Sequence, residues 1–184
     1  ASGDVVALMR GHSDTILALA FSPSGRWLAS ASKDATVRIW DLAALRDGAR
    51  PAAPLVLSDH TDHVYDLAWS PAGERLAAAS YDRTVGLWDT AQLSQGTATL
   101  IGRLRGHEQQ VQTVAFHPDG SVLASGGKDQ TIRLWRTTDG TDLGVLARPE
   151  HKVSALAFAP DGRRLLTGNF SPPKADRVTL IAYP

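Results

Sequence analysis

Short apolar runs separated by turn residues recur four times along the chain. The first run of the first unit, residues 16–21, is almost entirely apolar, which is typical of an inner strand buried on both faces. A turn with proline second and glycine fourth follows each run, at residues 22–25, 70–73, 117–120 and 159–162. Proline holds φ at about −65° and glycine accepts a positive φ, so each turn predicts a hairpin. No segment has a helical period, and the pattern predicts an all-β chain.

A histidine leads each unit, and its spacing gives the length of the repeat. His12, His60, His107 and His151 lie 48, 47 and 44 residues apart. That period fits a four-stranded unit of roughly 40–45 residues. A short outer strand is expected before each histidine, at residues 5–9, 55–57, 100–104 and 143–147. We therefore expect one domain over residues 1–184, with units at about 11–57, 58–104, 105–147 and 148–184 plus the strand 5–9.

The motifs within each unit carry a family resemblance. Gly11-His12, Ser22-Pro23, Asp34 and Trp40-Asp41 resemble the signature of a WD repeat. The second unit repeats this series with Asp59-His60, Ser70-Pro71, Asp82 and Trp88-Asp89. The third repeats it with Gly106-His107, Asp119-Gly120, Asp129 and Trp135-Arg136, where Arg136 replaces the final aspartate. The resemblance implies an all-β β-propeller of WD-type four-stranded antiparallel blades. It implies four blades in this chain, with the N-terminal strand completing the last one.

The resemblance also implies a hydrogen-bonded network inside each of three blades. A buried indole N–H and a buried carboxylate both need partners, and a histidine between them satisfies both. The implied sets are His12, Ser30, Asp34 and Trp40; His60, Ser80, Asp82 and Trp88; and His107, Ser125, Asp129 and Trp135. Because alternate residues of a strand share a face, Ser30 and Ser32 both remain candidates for the hydroxyl of the first set.

Catalytic and metal-binding interpretations of these residues are weaker. A His/Asp/Ser catalytic triad would not be copied into three blades. One histidine per blade also spreads these side chains around a ring, too far apart to bind one ion at about 2 Å. The sequence contains no nucleophile elbow, phosphate loop or zinc-protease motif. We expect no enzyme activity, no cofactor and no metal.

The fourth unit departs from the other three. Its second-strand leucine and third-strand aliphatic residue lie 15 residues apart instead of 11, which places an insertion at residues 169–176. Ile181 stands where tryptophan is expected, so we expect a degenerate repeat without the internal network. Two interpretations stay open. The unit is a terminal repeat under weaker constraint, or its insertion, with Phe170, is a loop shaped for a partner.

Composition narrows the class of partner. Lys+Arg and Asp+Glu are both 19, and a net charge of zero argues against phosphate-backbone binding and against a polybasic membrane patch. The chain has no cysteine, and no apolar run reaches the roughly 18–20 residues of a membrane span. Arginine outnumbers lysine by 15 to 4, which favours a GC-rich bacterial source. We expect a cytoplasmic protein that binds a protein or peptide, and neither nucleic acid nor membrane.

The number of blades leaves the closure of the ring open. In one interpretation, which the lack of an initiator methionine favours, the chain is a piece of a longer propeller and associates with its remaining blades. Alternatively, it pairs head-to-tail with a second copy into an eight-bladed ring, or it closes alone.

Loops on one rim are the expected surface for a partner. They lie before the first strand and between the second and third strands of each unit. The candidate residues are Lys33, Tyr81, Arg83, Lys128, Lys152, Phe170 and Lys174. Aromatic and arginine side chains are the usual anchors of interfaces, which favours Tyr81, Arg83 and Phe170. His117, in a turn on the opposite rim, is expected to be an ordinary surface residue.

Three functions compete. The sequence favours a non-catalytic protein–protein interaction scaffold or sensor module of a larger bacterial signalling or regulatory protein. The first alternative is an excised or engineered propeller fragment that assembles with a second copy. The second is an enzyme with a site in the central channel, which would need an unrepeated polar cluster there.

Overall fold

The computed structural model describes residues 5, 7–43, 45, 52–169 and 177–183. These residues form four antiparallel sheets that follow one another along the chain. Sheet 1 contains β1 (Ile16–Phe21), β2 (Trp27–Ser32), β3 (Val37–Asp41) and β4 (Leu55–Leu57). Sheet 2 contains β5 (Val64–Trp69), β6 (Arg75–Ser80), β7 (Thr84–Asp89) and β8 (Thr99–Arg105), with a 3-10 turn at Leu93–Gln95. The all-β prediction is confirmed.

The other two sheets differ in size. Sheet 3 contains β9 (Val111–Phe116), β10 (Val122–Gly127), β11 (Ile132–Arg136) and β12 (Asp142–Ala147). Sheet 4 contains β13 (Ala155–Phe158), β14 (Arg164–Asn169) and β15 (Arg177–Ala182). Neighbouring strands in each sheet are consecutive in sequence and antiparallel.

Two kinds of turn set the hairpins. The turn between the first and second strands carries its glycine at positive φ, 68° at Gly25 and 76° at Gly73, as the Pro/Gly spacing predicts. The turn between the second and third strands follows an aspartate and holds a non-glycine residue at positive φ, 65° at Ala35, 70° at Arg83 and 60° at Gln130. Because the strands run antiparallel, the two kinds of turn lie on opposite rims of the sheets.

The core lies between successive sheets. Each sheet presents a forward face to the next sheet and a rear face to the preceding one. The forward face is built of alanines and branched aliphatics, as with Ala29 and Val37 in sheet 1. The rear face is built of larger residues, as with Leu76 and Trp88 in sheet 2, and the same pairing recurs between sheets 2 and 3 and between sheets 3 and 4. Small residues on one side let the large ones approach closely.

Polar links join the sheets across these apolar interfaces. The Trp69 indole N–H donates to the Ala20 carbonyl at 3.0 Å, linking sheets 2 and 1. The Val114 amide donates to Asp66 Oδ2 at 3.0 Å, linking sheets 3 and 2. The His117 ring nitrogen Nε2 donates to the Gly162 carbonyl at 3.1 Å, linking sheets 3 and 4.

His117 corrects one expectation. Its ring packs edge-on against Phe158 and tilted against Tyr183, with ring centroids 5.1 Å apart in both pairs. It therefore lies in the contact between sheets 3 and 4 and is not an ordinary surface residue. A turn histidine reaches this contact because the turn of one sheet lies beside the turn of the next.

The predicted N-terminal strand is also corrected. Residues 5 and 7–10 form no strand, and sheet 4 has three strands among the residues described. Leu8, Met9 and Arg10 instead line a cavity with Trp40 and Pro54 at the outer part of sheet 1. Gly11 joins this segment directly to sheet 1, whereas β15 belongs to the sheet at the other end of the series. The prediction that this strand completes the last blade is therefore wrong for the chain in this structure.

Candidate functional site

A chain of hydrogen bonds runs through sheet 1 from tryptophan to aspartate. The Trp40 indole N–H donates to Ser30 Oγ at 2.9 Å, and that hydroxyl lies 2.8 Å from His12 Nε2. His12 Nδ1 lies 2.8 Å from Asp34 Oδ2. With the imidazole proton on Nδ1, each group donates once to the next, and every polar atom of the chain is satisfied. The bridging serine is Ser30; the Ser32 hydroxyl donates to the Asp14 carbonyl.

Sheet 3 repeats the same arrangement. The Trp135 indole donates to Ser125 Oγ at 2.7 Å, and His107 Nε2 lies 2.8 Å from that oxygen. His107 Nδ1 lies 2.9 Å from Asp129 Oδ2. The sets implied for the first and third units are thus brought together as two matching networks.

The aspartate of each network fastens two rim loops to the sheet. In sheet 1, Asp34 accepts hydrogen bonds from the backbone N–H of Ser13, before the first strand, and of Thr36, after the turn. Burial raises the pKa of this carboxyl, but hydrogen bonds from Thr36, His12 and Ser13 outweigh it and hold the pKa far below its usual range. The same direction holds for Asp82 and Asp129. The carboxylates therefore stay ionised and hold both loops in place.

Sheet 2 has a different network, in which no serine hydroxyl links the histidine to the tryptophan. Ala78 occupies the position of the bridging serine, and His60 Nε2 has no hydrogen-bond partner. The Trp88 indole donates instead to Asp59 Oδ2 at 2.9 Å. Ser80 Oγ donates to the Asp62 carbonyl at 3.1 Å, so its assignment as the bridging hydroxyl is wrong. Ser80 is two residues further along the strand and aligns with Ser32.

Two further substitutions complete the change in sheet 2. Gly86 stands where sheet 1 has Arg38 and sheet 3 has Arg133, and a Cβ there would overlap the Trp88 ring. Sheet 2 carries an arginine instead on its outer strand, because Arg103 lies directly opposite Gly86 on β8. Arg103 Nη2 lies 2.7 Å from Asp82 Oδ2. Sheet 2 therefore differs from sheets 1 and 3 in two ways: its arginine lies on the outer strand and pairs with the network aspartate, and the Trp88 ring lies over Gly86.

Sheet 4 cannot form the hydrogen bond that tryptophan makes in the other sheets, because the Ile181 side chain has no N–H. Ile181 pairs with Leu165, in the register at which Trp40 pairs with Leu28 in sheet 1. The smaller side chain borders a cavity of about 360 Å³ that His151 and Asn169 also line. The degenerate character expected of this unit stays a prediction.

Because the network residues are buried, the networks act within the sheets. The histidine side chains lie inside the sheets, each against its own aspartate. Across the described ranges, no three His, Cys, Asp or Glu side chains are grouped to hold a metal ion. The arrangement can hold the rim loops in place. It thereby fixes the positions of the candidate partner-binding residues that these loops carry.

A cluster of aromatic and basic side chains stands on that rim, where sheets 2 and 3 meet. The Tyr65 and Tyr81 rings stack 4.9 Å apart and 7° from parallel. His63 lies 5.6 Å from Tyr81 between ring centroids, and Lys128 Nζ lies 4.8 Å from the centre of the Tyr81 ring. We name His63, Tyr65, Tyr81 and Lys128 the rim cluster. A cation over an aromatic face is attracted by the ring's quadrupole, so the lysine is held over the tyrosine.

The electrostatics of the rim cluster link it to a further lysine. A hydrogen bond to Tyr81 raises the pKa of the Tyr65 phenol, while the charges of Lys128 and Lys152 act in the opposite direction. Lys152 therefore lies within electrostatic reach of the stacked pair. The rim cluster itself lies on sheets 2 and 3, and Lys152 lies on the loop that enters sheet 4.

The other predicted rim residues lie apart from this cluster or outside the described ranges. Lys33 is exposed and acts on the carboxyl of Asp14, whose pKa is lowered first by its hydrogen bond from Thr15. Arg83 is exposed in the β6–β7 turn at positive φ. Phe170 and Lys174 lie outside the residues that the structure describes.

Tyr65 is the residue that sequence reasoning missed. The corresponding positions in the other units are Leu17, Gln112 and Ser154, so an aromatic ring there is peculiar to the second unit. An aromatic residue at this one position was the signal that the second unit carries a site of its own. It could be interpreted only once the start of β5 was known to lie beside the turn that carries Tyr81.

Comparison with known proteins agrees with the repeat. The family model described as "WD domain, G-beta repeat" matches residues 3–41, 54–89, 98–136 and 140–176. The chain belongs to the WD-repeat family. All four units are covered, including the fourth, so the WD-repeat resemblance is confirmed over most of the chain.

Curated relatives match this WD-repeat chain over about the length of one unit. A yeast protein named "U3 small nucleolar RNA-associated protein 21" is 58% identical over 38 residues, which is 21% of this chain and 4% of the relative. The rat "Ribosome biogenesis protein BOP1" is 54% identical over 37 residues, or 20% of this chain and 5% of the relative. The Arabidopsis "Notchless protein homolog" is 56% identical over 32 residues, or 17% of this chain and 7% of the relative. The chain thus spans a small fraction of each relative's length.

Within the ranges that the structure covers, no helix is long and apolar enough to cross a bilayer.

Proposed function

We propose that this chain is a non-catalytic protein-interaction module that captures a protein or peptide segment on the rim cluster. The observation that carries this proposal is the stacked Tyr65–Tyr81 pair with Lys128 held over it. WD repeats are associated with protein binding, and the family membership supports the same class of function.

The rim cluster has the properties of an interface anchor. Tyrosine offers a large apolar ring with a polar tip and few rotatable bonds, so little entropy is lost when a partner covers it. Tyr65 is exposed and Tyr81 is half-buried, so a partner can reach the pair without displacing the core. The stacking and the cation–π contact already order these side chains in the free chain, which lowers the cost of binding.

The charge of the surroundings favours a protein partner of mixed character. The lysines near the rim cluster attract carboxylates, while Asp14, Asp62 and Glu108 on the same rim limit any purely anionic ligand. The chain as a whole carries no net charge, unlike a protein that binds by neutralising phosphates.

The biological setting stays a prediction. A bacterial scaffold or sensor in a larger signalling protein is the setting that the sequence favours. The printed names of the relatives refer instead to ribosome biogenesis and to a small nucleolar RNA. Because those matches extend over a single unit, they support the fold of that unit more than they support a shared role.

Selection of random peptides on the immobilised chain tests the proposal. Enriched peptides are synthesised, and their affinity is measured by fluorescence polarisation for the wild type and for a Tyr65→Ala/Tyr81→Ala variant. We expect the variant to bind at least about 10-fold more weakly, because truncating central aromatic anchors costs more than roughly 1–2 kcal/mol.

A matched cation–π pair on the opposite rim supplies the control. The Arg26 guanidinium lies 4.7 Å from the Trp27 ring centre. Lys128→Ala is expected to weaken peptide binding, whereas Arg26→Ala leaves it unchanged. Equal affinities for the wild type and the double tyrosine variant, or loss of binding in Arg26→Ala alone, would contradict the proposal.

A further inference from the structure

The basic side chains of the two rims differ in whether they are paired with carboxylates. On the rim opposite the rim cluster, every sheet has an arginine–aspartate ion pair, with nitrogen–oxygen distances between 2.9 and 3.1 Å: Arg26–Asp41, Arg75–Asp89, Arg136–Asp139 and Arg164–Asp161. On the rim that carries the rim cluster, Lys33, Arg83 and Lys128 form no ion pair with any residue that the structure describes. The charge of these three side chains is therefore available to a partner.

The carboxylates of the same rim serve the loops instead. Asp14 accepts a hydrogen bond from the Thr15 backbone N–H, and Asp62 accepts one from the His63 backbone N–H at 2.7 Å. The three network aspartates lie against their histidines. These carboxylates stabilise the loop conformations, and none of them forms an ion pair with Lys33 or Lys128.

Lys128 is the cation whose position is best fixed. Its side chain is half-buried, and its ammonium lies 4.8 Å from the centre of the Tyr81 ring. An ammonium has three N–H donors, and an aromatic face attracts its charge without supplying a carboxylate. A carboxylate that reaches this rim therefore meets an ordered cation without a counterion, and little side-chain entropy is lost when the two pair.

Apolar surface adjoins this cation. Tyr65 stacks on Tyr81 with the ring centroids 4.9 Å apart, and Tyr65 remains 37% exposed. One ring, Tyr81, thus contacts both the lysine and the exposed tyrosine. A segment that fits the rim cluster carries an acidic side chain and an apolar side chain close together.

The surroundings favour a single negative charge over a phosphate. Glu108 and Asp62 are exposed on the same rim and repel additional negative charge. A phosphate group carries a charge of about −1.5 to −2 and is usually bound by a cluster of arginines. Here one ordered lysine faces the partner, and the charge of Lys152, which also reaches Tyr65, adds to the attraction.

We propose that the partner of the rim cluster is an acidic protein segment, in which an Asp or Glu side chain pairs with Lys128 while a neighbouring apolar side chain packs on Tyr65. This inference rests on the proposed function of the rim cluster as a protein-binding site. It adds the chemistry of the segment that is bound.

Parallel selections from one random-peptide library test the charge preference. The library is selected on the immobilised wild type, on Lys128→Glu and on Lys33→Glu. Lys33 is the matched control, because it precedes Asp34 as Lys128 precedes Asp129, and its backbone N–H likewise donates to a carbonyl of the loop before the first strand. We expect wild type and Lys33→Glu to enrich peptides with Asp or Glu beside an apolar residue, and Lys128→Glu to enrich Lys or Arg there instead.

Affinities of synthetic peptides then measure the pairing. One enriched peptide is compared with a version in which its acidic residue is replaced by the matching amide, by fluorescence polarisation. We expect this replacement to weaken binding to the wild type at least about 5-fold, because a close charge pair is lost. The same replacement should change binding to Lys128→Gln less than about 2-fold, because the variant has no cation to lose. Thermal melts of both Lys128 variants check that the fold is retained.

The outcomes separate this inference from the proposed function. Peptides that require Tyr65 and Tyr81 but show no acidic preference would overturn the inference and leave the proposed function standing. The same holds if the acidic preference persists in Lys128→Glu, or if Lys33→Glu loses it to the same extent. A selection that yields no peptides, or only peptides that bind without the two tyrosines, would overturn both.

Discussion

Replacing Ala78 with serine should complete the unfinished network of sheet 2. Ala78 lies at the position of Ser30 and Ser125, and both of those hydroxyls lie 2.8 Å from a histidine Nε2. His60 Nε2 is buried without a partner, so a hydroxyl at position 78 would donate to it. The Trp88 indole keeps its own acceptor, because it donates to Asp59.

The expected gain follows from the cost of an unmade hydrogen bond. A buried acceptor without a partner costs roughly 1–3 kcal/mol, and a formed intramolecular hydrogen bond contributes about 0.5–1.5 kcal/mol net. Because burial of the new hydroxyl offsets part of the gain, we expect Ala78→Ser to raise the free energy of unfolding by about 1 kcal/mol. For a chain of this length, that gain corresponds to about 2–4 °C in melting temperature.

Guanidinium unfolding followed by tryptophan fluorescence measures this change. The neighbouring residue supplies a matched control: Ala77 is equally buried, but it lies in the cluster between sheets 2 and 3, away from His60. Ala77→Ser should lower stability, because its hydroxyl enters an apolar contact. If Ala78→Ser is neutral or destabilising, or if both serines act alike, the account of the unpartnered imidazole is refuted.

Three further predictions concern the same networks. Ser125→Ala leaves the Trp135 indole N–H unpartnered along with the facing imidazole, and unfolding titrations should show a loss of roughly 1–3 kcal/mol for each group. Stability should fall as the pH drops from about 5 to 3, because the three network aspartates have lowered pKa values in the fold and protonate first in the unfolded chain, near about 3.9; a flat profile of denaturation midpoints would contradict this. Gly86→Ala should destabilise strongly by overlap with the Trp88 ring, whereas Gly102→Ala, whose Cβ would lie 3.7 Å from its nearest neighbour, should be tolerated in thermal melts.

The fold was predictable because its signals are local and repeated. Proline and glycine at fixed turn positions, such as Pro23 and Gly25, set each hairpin without reference to the rest of the chain. The partners of His12 and His107 followed from the family resemblance. Strand alternation could not decide whether Ser30 or Ser32 bridges the histidine and the tryptophan, since both side chains share a face. The decision depended on the position of the indole N–H along the strand.

What escaped prediction depends on relations between sheets. The rim cluster forms because the inner end of β5, with Tyr65, lies beside the turns that carry Tyr81 and Lys128. Sequence reasoning placed the last two on one rim but gave no distance between them. The N-terminal segment was misplaced for the same reason, because its pairing depended on where the first and last sheets lie relative to each other.

The exchange of arginine between neighbouring strands has a consequence for mutational paths. Restoring arginine at position 86 while Arg103 remains would direct two guanidinium groups and the Trp88 ring into one space, whereas removing Arg103 first would leave Asp82 without its cation. In sheets 1 and 3 the arginine lies on the third strand, and a serine hydroxyl accepts the indole hydrogen bond. A consensus repeat can therefore be grafted into sheet 2 only with several substitutions made together.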